Sequence, residues 1–392
     1  MKKLFLILGV CAFLFAGCQI KNTTTGKQVY PRIQSAMMQD RPTKRPALPE
    51  HSPMDGEPIR FADPVMEYVF MCQLAGEEIR NEYLAQHSAG YANSAESEEA
   101  FWKRADDYLA YLRERGISVS RETLEQVSSL WIYRISDNYA VDMHFHDAQL
   151  EDLYGGYAVV SLPLFVQINS LDDFLALTSV EDLALDPSNA MDLSPLSGLT
   201  TLKVLGLNCA SVVDLEPLGQ LKGLEGLVIS HARAPELAFL ANLDMLQAFE
   251  LLASTDVDLD KLVQYAPQLT TLSLYDCGVT KITPLGSLSQ LRSLSVYHNL
   301  VDDVSPLKSL TGLERLNLNS NCIEDITPLA GLVNLLELDL SENQIRDMSA
   351  LAGMRKLEYL DLSWNQIEDC SLFYRMDFEY GGHIRGNPGA ED

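Results

Sequence analysis

Positive charge is scarce in this 392-residue chain: 29 Lys and Arg stand against 55 Asp and Glu, a formal net charge of -26. Such a chain lacks the basic face that neutralises phosphates, which argues against nucleic acid as a partner. Cysteine is sparse and scattered. Beyond Cys11 and Cys18 it leaves Cys72, Cys209, Cys277, Cys322 and Cys370, with no Cys-x-x-Cys. An odd, unclustered set fits neither a disulfide framework nor a zinc site. Most of these thiols are expected to be small buried hydrophobes. Catalytic signatures are missing too: there is no Gly-x-Ser-x-Gly elbow, no phosphate-binding loop and no His-Glu-x-x-His. Gly381, Gly382, Gly386 and Gly389 precede no helix, so they are no dinucleotide site. A non-enzymatic chain without a cofactor is the expectation. Long apolar runs are confined to Leu4–Ala16, thirteen residues, where a membrane-spanning helix needs about 20.

That run follows Met1-Lys2-Lys3, and its length and flanks are those of a secretory signal. Its ending, Leu14-Phe15-Ala16-Gly17-Cys18, resembles the bacterial lipobox, with Phe15 where an aliphatic residue is usual. The resemblance implies loss of residues 1–17 and acyl chains on Cys18. Each buried lipid methylene then contributes about 0.8 kcal/mol of anchoring. Gln19, in place of Asp, implies the outer membrane if the source has two. A lipid-anchored cell-envelope protein is the expectation; an ordinary signal peptide that contains Cys18 is the alternative. Residues 18–60 carry Pro31, Pro42, Pro46, Pro49, Pro53 and Pro58 and no apolar period, which reads as a disordered tether.

The C-terminal half is governed by a 22-residue period. Leu185, Leu207, Ile229, Leu251, Leu274, Val296, Leu318, Leu340 and Leu362 are spaced by 22 residues, with one step of 23. A second apolar residue sits two before each anchor, and Asn299, Asn321, Asn343 and Asn365 stand three after it. This LxxLxLxxN pattern resembles the leucine-rich repeat, in the 22-residue bacterial class shared with internalins. The resemblance covers about half the chain and implies an α/β solenoid: a horseshoe or arc with a parallel β-sheet on its concave face. Physics gives the residue types independently. Alternation makes a two-faced strand, one repeat cannot bury its leucines alone, and a turn-end Asn can bond backbone of neighbouring repeats. Cys277 takes the Asn place in its repeat; Ser254, Ala232, Ala210 and Ser188 take it earlier, so the ladder should weaken there. Ser/Thr-Pro steps after the strands predict short capped helical turns on the convex side. The 23-residue repeat lacks that step and predicts a longer helix over 258–265.

Strand residues outside the core are expected on the concave face. In the early repeats they are small and partly apolar, as in Val228, Ser230 and Leu252; later repeats bring Tyr275 and Tyr297 side by side. Tyr, Trp and Arg are the side chains that most often carry interface energy. The expected site for a protein or glycan is therefore Tyr275, Tyr297, His298, Arg315, Asn317, Asn319, Asp339, Tyr359, Asp361 and Trp364.

Residues 61–160 read as a small α+β domain, 161–179 as an N-terminal cap, 180–376 as nine repeats and 377–392 as a C-terminal cap and tail. Helices are predicted from Pro64 to about His87, from Ser97 to Gly116, and from Ser120 through Leu124, Val127 and Trp131. Val141, Met143 and Phe145 alternate as a strand. Asp142, His144 and His146 would share its other face. His144 and His146 are the weak candidates for a metal, lying ~6.6 Å apart by strand geometry. Two other functions remain open: a metal-binding or enzymatic module at 61–160 with the repeats recruiting its substrate, and a self-associating envelope protein.

Overall fold

The computed structural model describes residue 61 and residues 64–87, 98–116, 119–135, 138–145, 156–160, 170–185, 192–209, 214–233 and 236–390. The signal segment, Cys18, the tether and His146 lie outside these residues. The chain divides into two compact units, 1–224 and 225–392.

The first unit opens with helices α1 (Pro64–His87), α2 (Glu98–Glu114) and α3 (Arg121–Glu125). α1 buries Val65, Met66, Val69, Phe70 and Leu74, and α2 buries Ala105, Tyr108, Leu109 and Leu112. The two helices pack together, with Tyr83 and Tyr108 ring centroids 4.7 Å apart. Gly116 ends α2 with φ +75, where a Cβ would be strained. Ser120 caps α3, its Oγ accepting from the Thr123 N–H at 3.1 Å.

The third helix is shorter than its spacing predicts. It stops at Glu125, and Val127 and Trp131 fall in strand β1 (Val127–Ile135). Leu124, Val127 and Trp131 suit a helical period, but Leu130-Trp131-Ile132-Tyr133 is rich in β-branched and aromatic residues, and tertiary pairing decides. β1 pairs antiparallel with β2 (Asn138–Phe145) and parallel with β4 (Asp182–Leu185). β2 pairs antiparallel with β3 (Gly156–Val160), against which α1 packs. β4 continues in parallel into β5 (Val204–Asn208). The 61–160 region therefore shares one sheet with the first repeats. Asp142 and His144 lie in β2, paired with Trp131 and Ser129. Among the described residues, no three potential metal ligands converge, and no helix is long and apolar enough to cross a membrane.

The second unit is a parallel sheet of eight strands: β6 (Gly226–Ser230), β7 (Ala248–Leu252), β8 (Thr271–Tyr275), β9 (Ser293–Ser295), β10 (Arg315–Asn317), β11 (Glu337–Asp339), β12 (Tyr359–Asp361) and β13 (Gly381–His383). They pair in sequence order, with Leu227, Phe249, Leu272, Leu294, Leu316, Leu338 and Leu360 in one row. Each repeat buries a stack of aliphatics; in one, Leu313, Leu316, Leu318, Ile323, Ile326 and Leu329 are all buried. Full burial of such a side chain is worth about 1.5–3 kcal/mol, so the stack outweighs any polar contact named below. α4 (Leu259–Tyr265) stands between β7 and β8, in the repeat of 23 residues, and Asp258 caps it by accepting from the Lys261 N–H at 3.0 Å.

Two features differ from the sequence reading. Residues 377–392 were expected as cap and tail, yet β13 pairs in parallel with β12, and Asn387 takes the ladder position 22 residues after Asn365. The convex turns are 3-10 helices, and Ser or Thr does not cap them. An Asp two residues earlier does: Asp192, Asp303, Asp325 and Asp347 accept from the N–H of Ser194, Ser305, Thr327 and Ser349, each at 2.8 Å. A carboxylate outcompetes a hydroxyl for an orphan helix donor because it is charged. The serine or threonine hydroxyl, and then the backbone N–H, hold Asp192, Asp303 and Asp325 below the usual carboxylate range.

The asparagine ladder forms in the later repeats. Asn343 accepts from the Ile323 N–H at 3.0 Å and donates to the carbonyls of Leu318, Leu340 and Ser341. Asn299, Asn321, Asn365 and Asn387 repeat the pattern. Cys277 substitutes with sulfur, donating to the carbonyls of Leu251 and Tyr275; burial pushes its thiol up to about 11, so it stays a neutral donor. Ser254 offers less, one bond accepted from the Ala232 N–H and one donated to the Leu252 carbonyl.

Candidate interaction face

The sheet face of the second unit that lies opposite its leucine row is divided. On β6 and β7 it is closed: Val228, Ser230 and Leu252 are 0% exposed and Glu250 is 7% exposed. These positions were expected to be presented, and burial corrects that expectation. The Glu250 carboxyl makes no hydrogen bond or ion pair within the described residues, and burial pushes it up to about 8. The Ser230 hydroxyl is buried and unpartnered as well.

The face opens at Tyr275, the last residue of β8, where Thr271 and Ser273 are still buried, and continues open from β9 onward. Tyr275 and Tyr297 stack at 4.4 Å between ring centroids, 22° apart in plane. Their 22-residue separation puts them at equivalent positions of neighbouring repeats, Tyr275 at the end of β8 and Tyr297 two residues past β9. The His298 ring lies 5.7 Å from Tyr275, and its Nδ1 is 3.3 Å from Asp276 Oδ1. Burial, and then the Asp276 charge, raise the Tyr275 hydroxyl above its ordinary value.

Parallel register lays the remaining candidates in rows. One row runs Ser293, Arg315, Glu337, Tyr359, and the next runs Ser295, Asn317, Asp339, Asp361, His383. Arg315 Nε donates to Glu337 Oε1 at 3.1 Å. Asn317 Oδ1 accepts from the Asn319 N–H at 2.9 Å, and Asn319 Nδ2 donates to Ser341 Oγ at 2.7 Å. Asp339 accepts from both the N–H and the hydroxyl of Ser341. Burial nevertheless wins there, and with Asp361 and Glu342 nearby the Asp339 carboxyl rises to about 6. The Tyr359 hydroxyl donates to Asp361 Oδ2 at 3.4 Å, while Asp361 Oδ1 accepts from the Ser363 N–H at 2.8 Å.

Just past the strand face, the chain turns through the left-handed region in the repeats of β6 to β12: His231, Ala253, Asp276, His298, Ser320, Glu342 and Trp364 have φ between 47° and 59°. The turn is architectural, because it delivers each ladder residue inward. It also throws His298, Glu342 and Trp364 to one edge of the face. Trp364 is 49% exposed, but its ring lies over Gly386, where an added Cβ would come within 2.5 Å of it. Trp364 is thus part of the packing of the last repeat as well as surface. Sequence reasoning missed Asp276 and His383. The 22-residue step places His383 beside Asp361, and it could have been found from that spacing.

Residues 267–309 and 289–331 match a family model described as leucine-rich repeats in two copies, and residues 327–367 match one described as leucine-rich repeat. No curated protein sequence matches the chain. Among solved structures, the chain is similar to an internalin of Listeria monocytogenes, at 24% identity and a TM-score of 0.51, over 71% of this chain and 87% of that one. It is also similar to an internalin C2 of the same organism (25% identity, TM-score 0.36, 55% and 80% of the two chains). A leucine-rich-repeat protein of Leptospira interrogans matches at 20% identity and a TM-score of 0.42, over 53% and 62%. The fold is that of a leucine-rich-repeat solenoid preceded by a small α+β region, and it is similar to the fold of the first internalin.

Proposed function

We propose that this chain is a lipid-anchored, extracytoplasmic binding protein that performs no chemistry itself and recognises a protein or glycan on the open concave face of β8–β12. The observation that carries the reading is the stacked pair Tyr275 and Tyr297 at the head of that face. Two large rings stacked between neighbouring repeats offer contact area at little entropic cost. The Ser, Asn and Asp rows beside them supply directional polar contacts. The early face, closed to solvent, takes no part. The anchor rests on the Leu14–Cys18 sequence and is a separate element of the reading.

Affinity capture from envelope and host extracts with purified 19–392 tests it. A bait with Tyr275→Ala and Tyr297→Ala serves as control, with circular dichroism checking the fold. Trp364 is left in place because of its packing on Gly386. A partner held by the native bait and lost by the double variant is the expected result. A partner held equally by both removes this face from consideration. For the anchor, Cys18→Ser is expected to abolish incorporation of labelled fatty acid; continued labelling would refute acylation at Cys18.

A further inference from the structure

We infer that the occupant of this face is a cationic, extended polypeptide segment laid across β8–β12, with its apolar end on the tyrosine pair and its Arg or Lys side chains on Asp339 and Asp361. The inference rests on the interaction reading above and deepens it.

The first observation is charge in register. Asp339 and Asp361 are direct neighbours on adjacent strands, with Glu342 at the edge beside them and accepting from the Ser320 hydroxyl at 2.8 Å. Arg315 is already paired with Glu337. Arg385, on the final turn, makes no ion pair within the described residues. Two carboxylates on neighbouring strands repel each other, and both are half-buried. Burial raises the Asp339 carboxyl to about 6, and the Asp361 charge adds a smaller push in the same direction. A cation placed between the two carboxylates relieves that repulsion, and a planar guanidinium fits the pair bidentately.

The second observation is independent of charge. Ser363 follows Asp361 by two residues on the same face of the chain and is 4% exposed, yet its hydroxyl has no hydrogen-bond partner. The corresponding hydroxyl one repeat earlier, on Ser341, donates to Asp339. A buried hydroxyl without a partner costs about 1–3 kcal/mol. Its oxygen is closed to solvent, so an incoming N–H donor beside Asp361 satisfies it once the Ser363 side chain turns toward the face.

The third is reach. From β8 to β12 there are four strand spacings, ~19 Å at ~4.8 Å each, and about six residues of extended chain cover it. One short segment can touch the Tyr275–Tyr297 stack at one end and Asp339–Asp361 at the other. The stack also offers a face to a cation from the same segment.

The probe is a fluorescein-labelled peptide of alternating arginine and glycine with one terminal tryptophan, titrated against the full chain by anisotropy. Its counterpart has glutamate in place of arginine. The face variant is Asp339→Asn with Asp361→Asn, which keeps the acceptors for Ser341 and Ser363. The control variant, Asp302→Asn with Glu324→Gln, removes the same charge from exposed residues off the sheet. Glu342→Gln is a further single variant at an exposed edge position, tolerant of change if the double variant misfolds. The expected result is saturable binding of the arginine peptide alone, weakened about tenfold or more by the face variant and less than twofold by the control. Glu342→Gln should weaken it about threefold. Equal weakening by face and control variants would mean diffuse attraction to an acidic chain and would overturn the proposal. So would absence of binding at low salt, or face-dependent self-association in sedimentation, which would seat a second copy there. A captured partner lost with Tyr275→Ala and Tyr297→Ala but indifferent to Asp339→Asn and Asp361→Asn would overturn the cationic occupant alone and leave the interaction reading standing.

Discussion

Strands β6–β7 and β9–β12 share one backbone pattern but differ in what the positions facing away from their leucine row do. On β6 and β7 those positions are Val228, Ser230, Glu250 and Leu252, all buried. On β9–β12 they are Ser293, Ser295, Arg315, Asn317, Glu337, Asp339, Tyr359 and Asp361, all partly exposed. The ladder follows the same division. It is asparagine from Asn299 onward, cysteine at Cys277, and serine at Ser254. Repeat geometry therefore fixes where a side chain points, while side-chain chemistry decides whether that position belongs to a core or to a surface. β6 and β7 are built as interior on both faces. The later ones keep a tightly bonded spine and leave one face partly exposed.

The comparison breaks most forcefully at Glu250, a carboxyl in the closed half with no partner. Its folded value is raised by burial from 4.5 to about 8. Between those values the folded chain holds the proton and the unfolded chain does not, so stability falls as pH rises through that window. Below the unfolded value the penalty is absent; above the folded value it is complete, about 5 kcal/mol. Glu250→Gln should flatten this slope and leave the variant more stable than the native chain near pH 9. Urea unfolding at about pH 5, 7 and 9 measures it. Parallel profiles for the two chains would mean that Glu250 is solvated or paired.

The spine comes next. Asn343→Ala deletes one accepted and three donated bonds among buried backbone groups, and a loss of about 4 kcal/mol is expected. Ser254→Ala deletes one bond of each kind, and about 1–2 kcal/mol is expected. The ratio is the informative quantity, because it compares the same structural position in the two halves. Similar losses in chemical denaturation would show that the Ser254 position is supported by other contacts, and that ladder strength does not distinguish the halves.

Much of this was legible in the sequence because a solenoid restates its rules every 22 residues. The leucine rows, Cys277 in a ladder place, the helix after Asp258 and the adjacency of Tyr275 and Tyr297 all follow from spacing alone. The misses have physical causes. Leu124, Val127 and Trp131 fit a helical period that runs into the first half of β1, and only pairing with β2 and β4 arbitrates. The last turn hid because Gly381 and Gly382 replace the usual strand residues, although Ile384 and Asn387 keep the 22-residue step. The caps were assigned to Ser and Thr, since Asp-x-Ser/Thr and Ser/Thr-Pro overlap in the same four residues. Closure of the early face was invisible for a deeper reason. Val228 and Leu252 hint at it, but burial of a sheet face depends on what lies opposite, which strand register does not encode.

The smallest expected effect sits where the closed half meets the open one. α4 replaces a 3-10 turn between β7 and β8, and its N-terminal cap is the Asp258 carboxylate, bonded to the Lys261 N–H at 3.0 Å. Lys261 Nζ stands 4.0 Å from Asp258 and 3.9 Å from Glu236, pairs too exposed to matter much. The cap bond is therefore the main contribution of Asp258, and Asp258→Ala should cost about 1 kcal/mol. Asp258→Asn keeps the acceptor and should cost only a few tenths of that. Differential scanning calorimetry separates the two variants. A full loss with Asn would assign the effect to charge. No loss with Ala would show that α4 is held by burial of Leu259 and Leu262 alone, so that the change from turn to helix at this boundary follows from packing and the capping residue adds nothing.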